Sequence, residues 1–457
     1  MPIKRYIFSS CCLLLLLLAT SSPLLGQRTD FIELRPKQNS PLSRFGLGDG
    51  LDQWHVAQAG MAGISSTWQD PFHLNIVNPA ALASLGATSF EVGLYGKLGT
   101  LKDNNGEARV NSGNLQYLAL GFPLRNSINL NLDRADTRWN AGMAFSLAPT
   151  TLVGYDLELE QDDPDLGVTS NLLKGNGGTY RVTWSNAFRY RGLSAGLNLN
   201  YNFGRLTNDR VVVFDSLVTA LATEVLEEYN VNGWNIGYGF QYALDFKETN
   251  DQGVSVPSGK RLIFGVHGQL QAELRTTSDL LSRRFSPSNS LFVSDTLQAV
   301  QDVKGNLTLP SSVNFGVAFE DINRLFVAAE YGIGNWSNYR NDAQDDRLAN
   351  SSRLAFGVQY IPDFDSYNSF FKRVRYRFGV RLEDDPRVLE GEQARRQALT
   401  FGMGLPIVLP RQQVSFFNLA VEIGKFGVAD VLDENYIQFS IGFSLNDNTW
   451  FLKRKFN

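Results

Sequence analysis

Cysteine is nearly absent from this chain: there are two in 457 residues, Cys11 and Cys12. Both sit in or before the leucine run Leu13–Leu18, which follows Lys4 and Arg5 and leads through small residues to Gly26. That order of charge, apolar core and small residues predicts a secretory signal peptide over residues 1–26. A chain cut after Gly26 keeps no cysteine, which excludes a disulfide framework, a thiol nucleophile and a cysteine metal site. Histidine is equally scarce, with three residues: His55, His73 and His267. A hydrolase of Ser-His type needs a nucleophile–base pair held by a further polar group, and nothing near His267 suggests one. The expectation is therefore no catalytic residue, no enzyme activity, no metal site and no cofactor. Charge is sparse too, at 19% against a usual ~25%. The net charge of −4 gives no reason to expect nucleic acid as a partner. Beyond the leader no stretch of 18 apolar residues occurs, so membrane-spanning helices are excluded.

What the chain has is glycine (41 residues), aromatics (12%) and a period of two. Leu193, Ala195, Leu197, Leu199 and Tyr201 alternate with Ser194, Gly196, Asn198 and Asn200. Val374, Tyr376, Phe378, Val380 and Leu382 alternate with Arg373, Arg375, Arg377 and Arg381. Successive strand side chains point to opposite faces, so such a segment carries one apolar and one polar face. Repetition of these segments to Ile437–Leu445 predicts an all-β fold, a transmembrane antiparallel β-barrel with lipid outside and water inside. Arg373, Arg375, Arg377 and Arg381 are then candidates for holding the head group of an anionic ligand, since guanidinium pairs well with carboxylate and phosphate. The alternative is that they neutralise acids such as Asp49, Asp52 and Asp70. The acidic stretches Gln161–Asp165 and Asn341–Arg347 read as external loops. Leu217–Tyr229 has roughly helical spacing and is expected to form a short helix.

Residues 27–86 break the pattern. They hold many glycines and small residues, a turn at Asn78-Pro79, and Phe45, Trp54, Trp68 and Phe72, which argue against disorder. Irregular backbone at membrane depth survives only inside protein or a wet cavity. This stretch therefore reads as a plug in the barrel lumen, with the histidines as lumen hydrogen-bonders.

Several short motifs now converge. Ala59-Gly60-Met61-Ala62-Gly63, Asp70 and Asn78-Pro79-Ala80-Ala81-Leu82 come first, preceded by Ser40–Asp49. Leu309-Pro310-Ser311-Ser312-Val313-Asn314-Phe315-Gly316 follows, with Ala329-Glu330-Tyr331 and Trp336-Ser337. Gly402-Met403-Gly404-Leu405-Pro406 and Asn418–Gly424 close the set. Together they resemble the FadL/OmpP1/TodX family of outer-membrane transport barrels, in the form common in Bacteroidota. The resemblance implies a signal peptide (1–26), an N-terminal hatch (27–86) and a barrel of about 14 strands (87–457), placed in the bacterial outer membrane. It implies passive uptake of hydrophobic or amphipathic small molecules, long-chain-fatty-acid-like, with outer-membrane lipid around the wall. Hatch movement and a gap in the wall would release the ligand, and Gly60, Gly63, Asn78, Pro79 and Ala80 become the gating candidates. The same fold also serves as a non-transporting scaffold subunit of outer-membrane protein export or assembly complexes. An apolar groove would mark the first role, and large ordered loops fitted to a protein partner the second; the lengths of Asp245–Lys260 and Thr276–Val303 lean to the second.

Overall fold

The computed structural model describes residues 40–448, except 104–105, 126–137, 164–166, 218–219, 250–254, 287–292, 345–346, 410–412 and 429–430. The leader, both cysteines and the aromatic pair Trp450-Phe451 lie outside the described residues.

Alternation of apolar and polar side chains turns almost the whole chain after Ala87 into strands. These are β1 (Thr88–Asp103), β2 (Glu107–Pro123), β3 (Trp139–Asp163), β4 (Gly167–Tyr190), β5 (Leu193–Phe214) and β6 (Ala222–Thr249). Next come β7 (Ser255–Gln269), β8 (Ala272–Phe285), β9 (Val293–Leu309), β10 (Ser312–Asp321), β11 (Leu325–Gly334) and β12 (Ser351–Tyr360). The last four are β13 (Arg375–Leu389), β14 (Glu392–Leu409), β15 (Gln413–Val428) and β16 (Leu432–Asp447). All pairings are antiparallel, and β16 pairs with β1 from Thr88↔Asp447 to Asp103↔Leu432, which closes the ring. The closed wall has 14 strands, because β7 pairs directly with β10 and the β8–β9 hairpin stands outside the ring. Leu98, Leu197, Trp234, Phe264, Phe315, Phe356, Phe401 and Phe439 are exposed on the outer face. An apolar belt of this extent is what hydrocarbon, not water, accommodates.

The rim where β1 begins is taken as the lower one. At the upper rim the wall is uneven. Strands β10, β11 and β12 have 10 residues each, whereas β3, β4, β5 and β6 have 25, 24, 22 and 28. A membrane strand needs ~9–11 residues, so the four long strands rise far past it. The upper half of β6 (Ala222–Asn232) pairs with β8, which adds the β8–β9 hairpin to this extension. Leu307 and Thr308 of β9 then pair back to Asn341 and Arg340. Val153, Tyr155, Leu173, Leu206, Tyr229 and Leu274 form an apolar cluster with Leu47 along this wall. The helix expected over Leu217–Tyr229 is not there: Ala222 onward is strand. Its helical spacing rests on four apolar residues, whereas β6 gains a backbone ladder on both sides, against β5 and β8. Those two ladders outweigh one amphipathic turn.

Between β2 and β3 the wall parts. They pair only from Leu118↔Leu147 to Pro123↔Gly142, leaving the upper half of β2 without β3 beside it. There β3 takes a different partner: Asp49 and Gly50 pair with Leu152 and Thr151. Leu51 N donates to Thr150 O (2.8 Å), and Ser40 N to Gly154 O (2.8 Å).

Residues 40–87 form short 3-10 turns at Pro41–Arg44 and Pro79–Ser84 and a single helical turn, α1 (Val56–Ala59). The Pro79–Ser84 turn packs on β2 to β6, while α1 packs on β14, β15 and β16 across the ring. Most side chains from Trp54 to Ala83 are buried.

Candidate functional site

The interior is held together where this N-terminal segment meets the wall. Its backbone approaches the strands at inward-facing glycines. A Cβ at Gly402 would lie 2.8 Å from Gly60 Cα, and one at Gly196 would lie 2.7 Å from Ala80 N. Gly239 faces Asn78 and Pro79, Gly265 faces Ser66, Gly379 faces Ala62, and Gly442 faces Val56. A collar of glycines around the barrel thus makes room for main chain at van der Waals distance.

Of the gating candidates, Gly60 lies against Gly402, and Gly63 turns back with φ +75° under Trp54. Ala62 before it is also left-handed (φ 54°), an unusual conformation for a residue with a Cβ. Its backbone is fixed at both ends: Ala62 N donates to Thr400 Oγ1 (2.9 Å), and Ala62 O accepts from Arg353 Nη1 (3.1 Å). Asn78 caps the next turn, accepting from Ala80 N at 3.2 Å and donating to Ser66 O at 2.6 Å. Pro79 stands at the first position of that turn, where its missing N–H costs nothing.

The arginines of β13 end on protein groups. Arg375 pairs with Asp70 and stacks its guanidinium 4.3 Å from the Phe416 ring. Asp70 Oδ1 lies 3.0 Å from His73 Nδ1, and His73 Nε2 lies 3.1 Å from Asn418 Nδ2. Asn418 accepts from Arg377 Nη1 (2.9 Å), and Arg377 Nε donates to Gln359 (2.8 Å). Arg381 donates to Asp52 at 2.9 Å and to Glu383 at 2.8 Å. Arg373 is apart from the row. It ends a helical turn, Phe370–Arg373, before β13 begins.

Burial pushes the Asp70 carboxyl up, but Arg375 and His73 outweigh it and hold the group well below the usual carboxylate range. Burial lowers His73, against the opposing pull of Asp70, so its imidazole stays neutral at lower pH than usual.

Three further contacts had no local signal in the sequence. Glu330 accepts from Ser65 N (2.8 Å) and Ser66 N (2.6 Å) and pairs with Arg353. Glu91 lies 2.6 Å from His55 Nδ1 and accepts from Leu74 N at 2.9 Å. Arg387 pairs with Asp49 and with Asp385. His55 stacks on Tyr117, with ring centroids 3.7 Å apart. Cavities beside these networks have charged walls. One of about 50 Å³ touches Asp49, Asp52, Lys97 and Arg396, and one of about 250 Å³ touches Asp70, Arg261, Glu320 and Arg375.

The family model described as BamG matches residues 34–457. Among curated proteins no sequence matches. Among solved structures, the toluene transporter TodX of Pseudomonas putida is 16% identical with a TM-score of 0.50, covering 88% of this chain and 99% of its own. The toluene transporter TbuX of Ralstonia pickettii is 15% identical with a TM-score of 0.50, over 87% and 99%. A FadL homologue of Pseudomonas aeruginosa is 12% identical with a TM-score of 0.52, over 88% and 99%. The fold is that of the FadL-like barrels of the bacterial outer membrane.

Proposed function

The chain belongs to the BamG family, and from that premise we propose that it acts as a scaffold subunit of an outer-membrane protein export or assembly complex. The observation that carries this reading is the ordered upper extension of β3 to β6 with the β8–β9 hairpin. A 25-residue strand runs about 80 Å, roughly twice the path that a ~30 Å bilayer core requires of a strand tilted by ~45°. Paired backbone carried that far beyond lipid gives a rigid face for a protein partner. In this reading residues 40–86 of the proposed hatch (27–86) are a fixed part of the base that the barrel (87–457) provides. Gly60, Gly63, Asn78, Pro79 and Ala80 then seat the hatch rather than move it.

A second reading is passive uptake of a hydrophobic or amphipathic small molecule, long-chain-fatty-acid-like. The parted wall between β2 and β3 favours it, together with the fold shared with toluene transporters. Gly60, Gly63, Asn78, Pro79 and Ala80 would then gate, and Arg375, Arg377 and Arg381 would exchange their protein partners for a ligand head group. Extraction in mild detergent followed by native mass spectrometry separates the two. A stoichiometric protein partner is expected. Bound lipid or fatty acid with no protein partner would overturn the scaffold reading and support uptake.

A further inference from the structure

Between the N-terminal segment and the inner faces of β3 to β7 lies a cavity of about 320 Å³, within the ~300–1,000 Å³ range of small-ligand pockets. Leu51, Ile76 and Val77 of the N-terminal segment line one side, and the inner faces of β4 and β5 line another. Asn198, Asn200 and Asn202 stand at alternate positions of β5, and Thr179 and Thr183 at alternate positions of β4. Period two therefore aims each set at the same space. No carboxylate lines the cavity; its titratable side chains are Arg181 and His267.

Arg181 shares with Arg377 a guanidinium held by amide side chains and not by an acid, unlike most arginines at the hatch. Its Nε donates to Asn202 Oδ1 at 2.9 Å, and among the described residues no carboxylate pairs with it. Arg353, Arg375, Arg381 and Arg387 each have an acid. Arg181 is half-buried, and a guanidinium partly withdrawn from water without a counter-charge is unfavourable. Two further buried atoms here lack a hydrogen-bond partner: Asn198 Oδ1 and His267 Nε2, the latter 3.7 Å from Glu330.

We propose that this cavity binds a small hydroxyl-bearing oxyanion, with its carboxylate or phosphate on the outer nitrogens of Arg181 and its hydroxyls on the asparagine and threonine rows. A guanidinium presents parallel N–H donors matched to either oxyanion. Asparagine amides offer both a donor and an acceptor, as a hydroxyl requires. A purely apolar occupant would leave the guanidinium without a counter-charge and Asn198 Oδ1 without a donor. The site stands apart from the Arg375–Arg381 row and does not depend on the scaffold reading.

The test is calorimetric titration of the detergent-solubilised barrel with gluconate, glycerol 3-phosphate, inorganic phosphate and glycerol. Binding of gluconate or glycerol 3-phosphate is expected, and which of the two binds tells carboxylate from phosphate. Arg181→Gln should weaken it at least about tenfold, with Arg181→Lys recovering part. Heat-modifiable migration on gels checks that each variant still forms a barrel. Asn200→Leu keeps the charge; it should weaken the hydroxylated anion and leave inorganic phosphate unchanged, and it decides the matter if Arg181→Gln does not fold. Absence of binding by either hydroxylated anion, or equal binding by Arg181→Gln, overturns the proposal. Equal affinity for glycerol 3-phosphate and inorganic phosphate refutes the hydroxyl contacts.

Discussion

Arg375 and Asp70 are joined across 305 positions of sequence, and each is buried with the other as its counter-charge. Removing one partner strands the other, which costs about 3–5 kcal/mol for a buried pair. Arg375→Gln should therefore loosen the N-terminal segment while the wall stays folded, read as faster protease cleavage between residues 40 and 87. Acid should do the same in two stages. His73 has a folded pKa below its ordinary 6.5, so its contribution is full above pH 6.5 and declines as pH falls below that value. Asp70 is depressed from 3.8, so its contribution holds above pH 3.8 and is lost below it. Protease sensitivity should rise first below pH 6.5 and again below pH 3.8. His73→Gln, which does not titrate, should remove the first rise. Period two is enough to put Arg375, Arg377 and Arg381 on one face, and the acids Asp52 and Asp70 were visible as alternative partners. Arg373 fits the same spacing yet falls in the helical turn before the strand. Glu330 was legible only as part of a motif, because its partners are backbone amides 264 and 265 residues away. Gly379 shows what signal was available. It stands between Arg377 and Arg381 on the inward face of β13, and a glycine at a polar-face position marks where another backbone approaches.

The β8–β9 hairpin joins the ring along the upper half of β6 and pairs briefly with Arg340 and Asn341 in the β11–β12 connection. Beneath it, Gln269 and Ser312 already face each other as partners. Replacing 271–310 with a short turn should leave a heat-modifiable barrel of unchanged lower wall, because the β7–β10 pairing does not pass through the hairpin. Co-purification of a protein partner should fall sharply; unchanged recovery would place the contact elsewhere on the wall. The sequence signalled this element only as an unusually long connection, Thr276–Val303. Its alternation is weak because the hairpin does not face lipid: Thr276–Thr277 and Arg283–Arg284 break the apolar–polar rhythm that the spanning strands keep. The same departure from lipid explains why Leu217–Tyr229 read as helix. Glu228 and Glu224 of upper β6 pair with Arg205 and Arg283, so the pattern there is set by charge pairing and not by a hydrocarbon boundary.

For the whole molecule, a lumen crossed by the N-terminal segment predicts low conductance in planar bilayers. Deleting residues 40–86 should raise it many-fold, and a wild-type barrel as conductive as the deletion would show that the segment does not obstruct the lumen. The barrel class was legible from end to end because lipid imposes one rule on every strand. The interior was not, because each contact there joins residues from separate turns of the chain. That wiring also has an order in time. The segment that fills the lumen comes before β1 in the chain, while the ring is completed by β16 pairing with β1 along its whole length. A ring already zipped between Thr88 and Asp447 leaves residues 40–87 only its two rims and the parted β2–β3 seam to enter by. Asp49 and Gly50 must also reach the flank of β3, which a finished wall would obstruct. We therefore expect the seam between the first and last strands to zip last, once the interior is furnished.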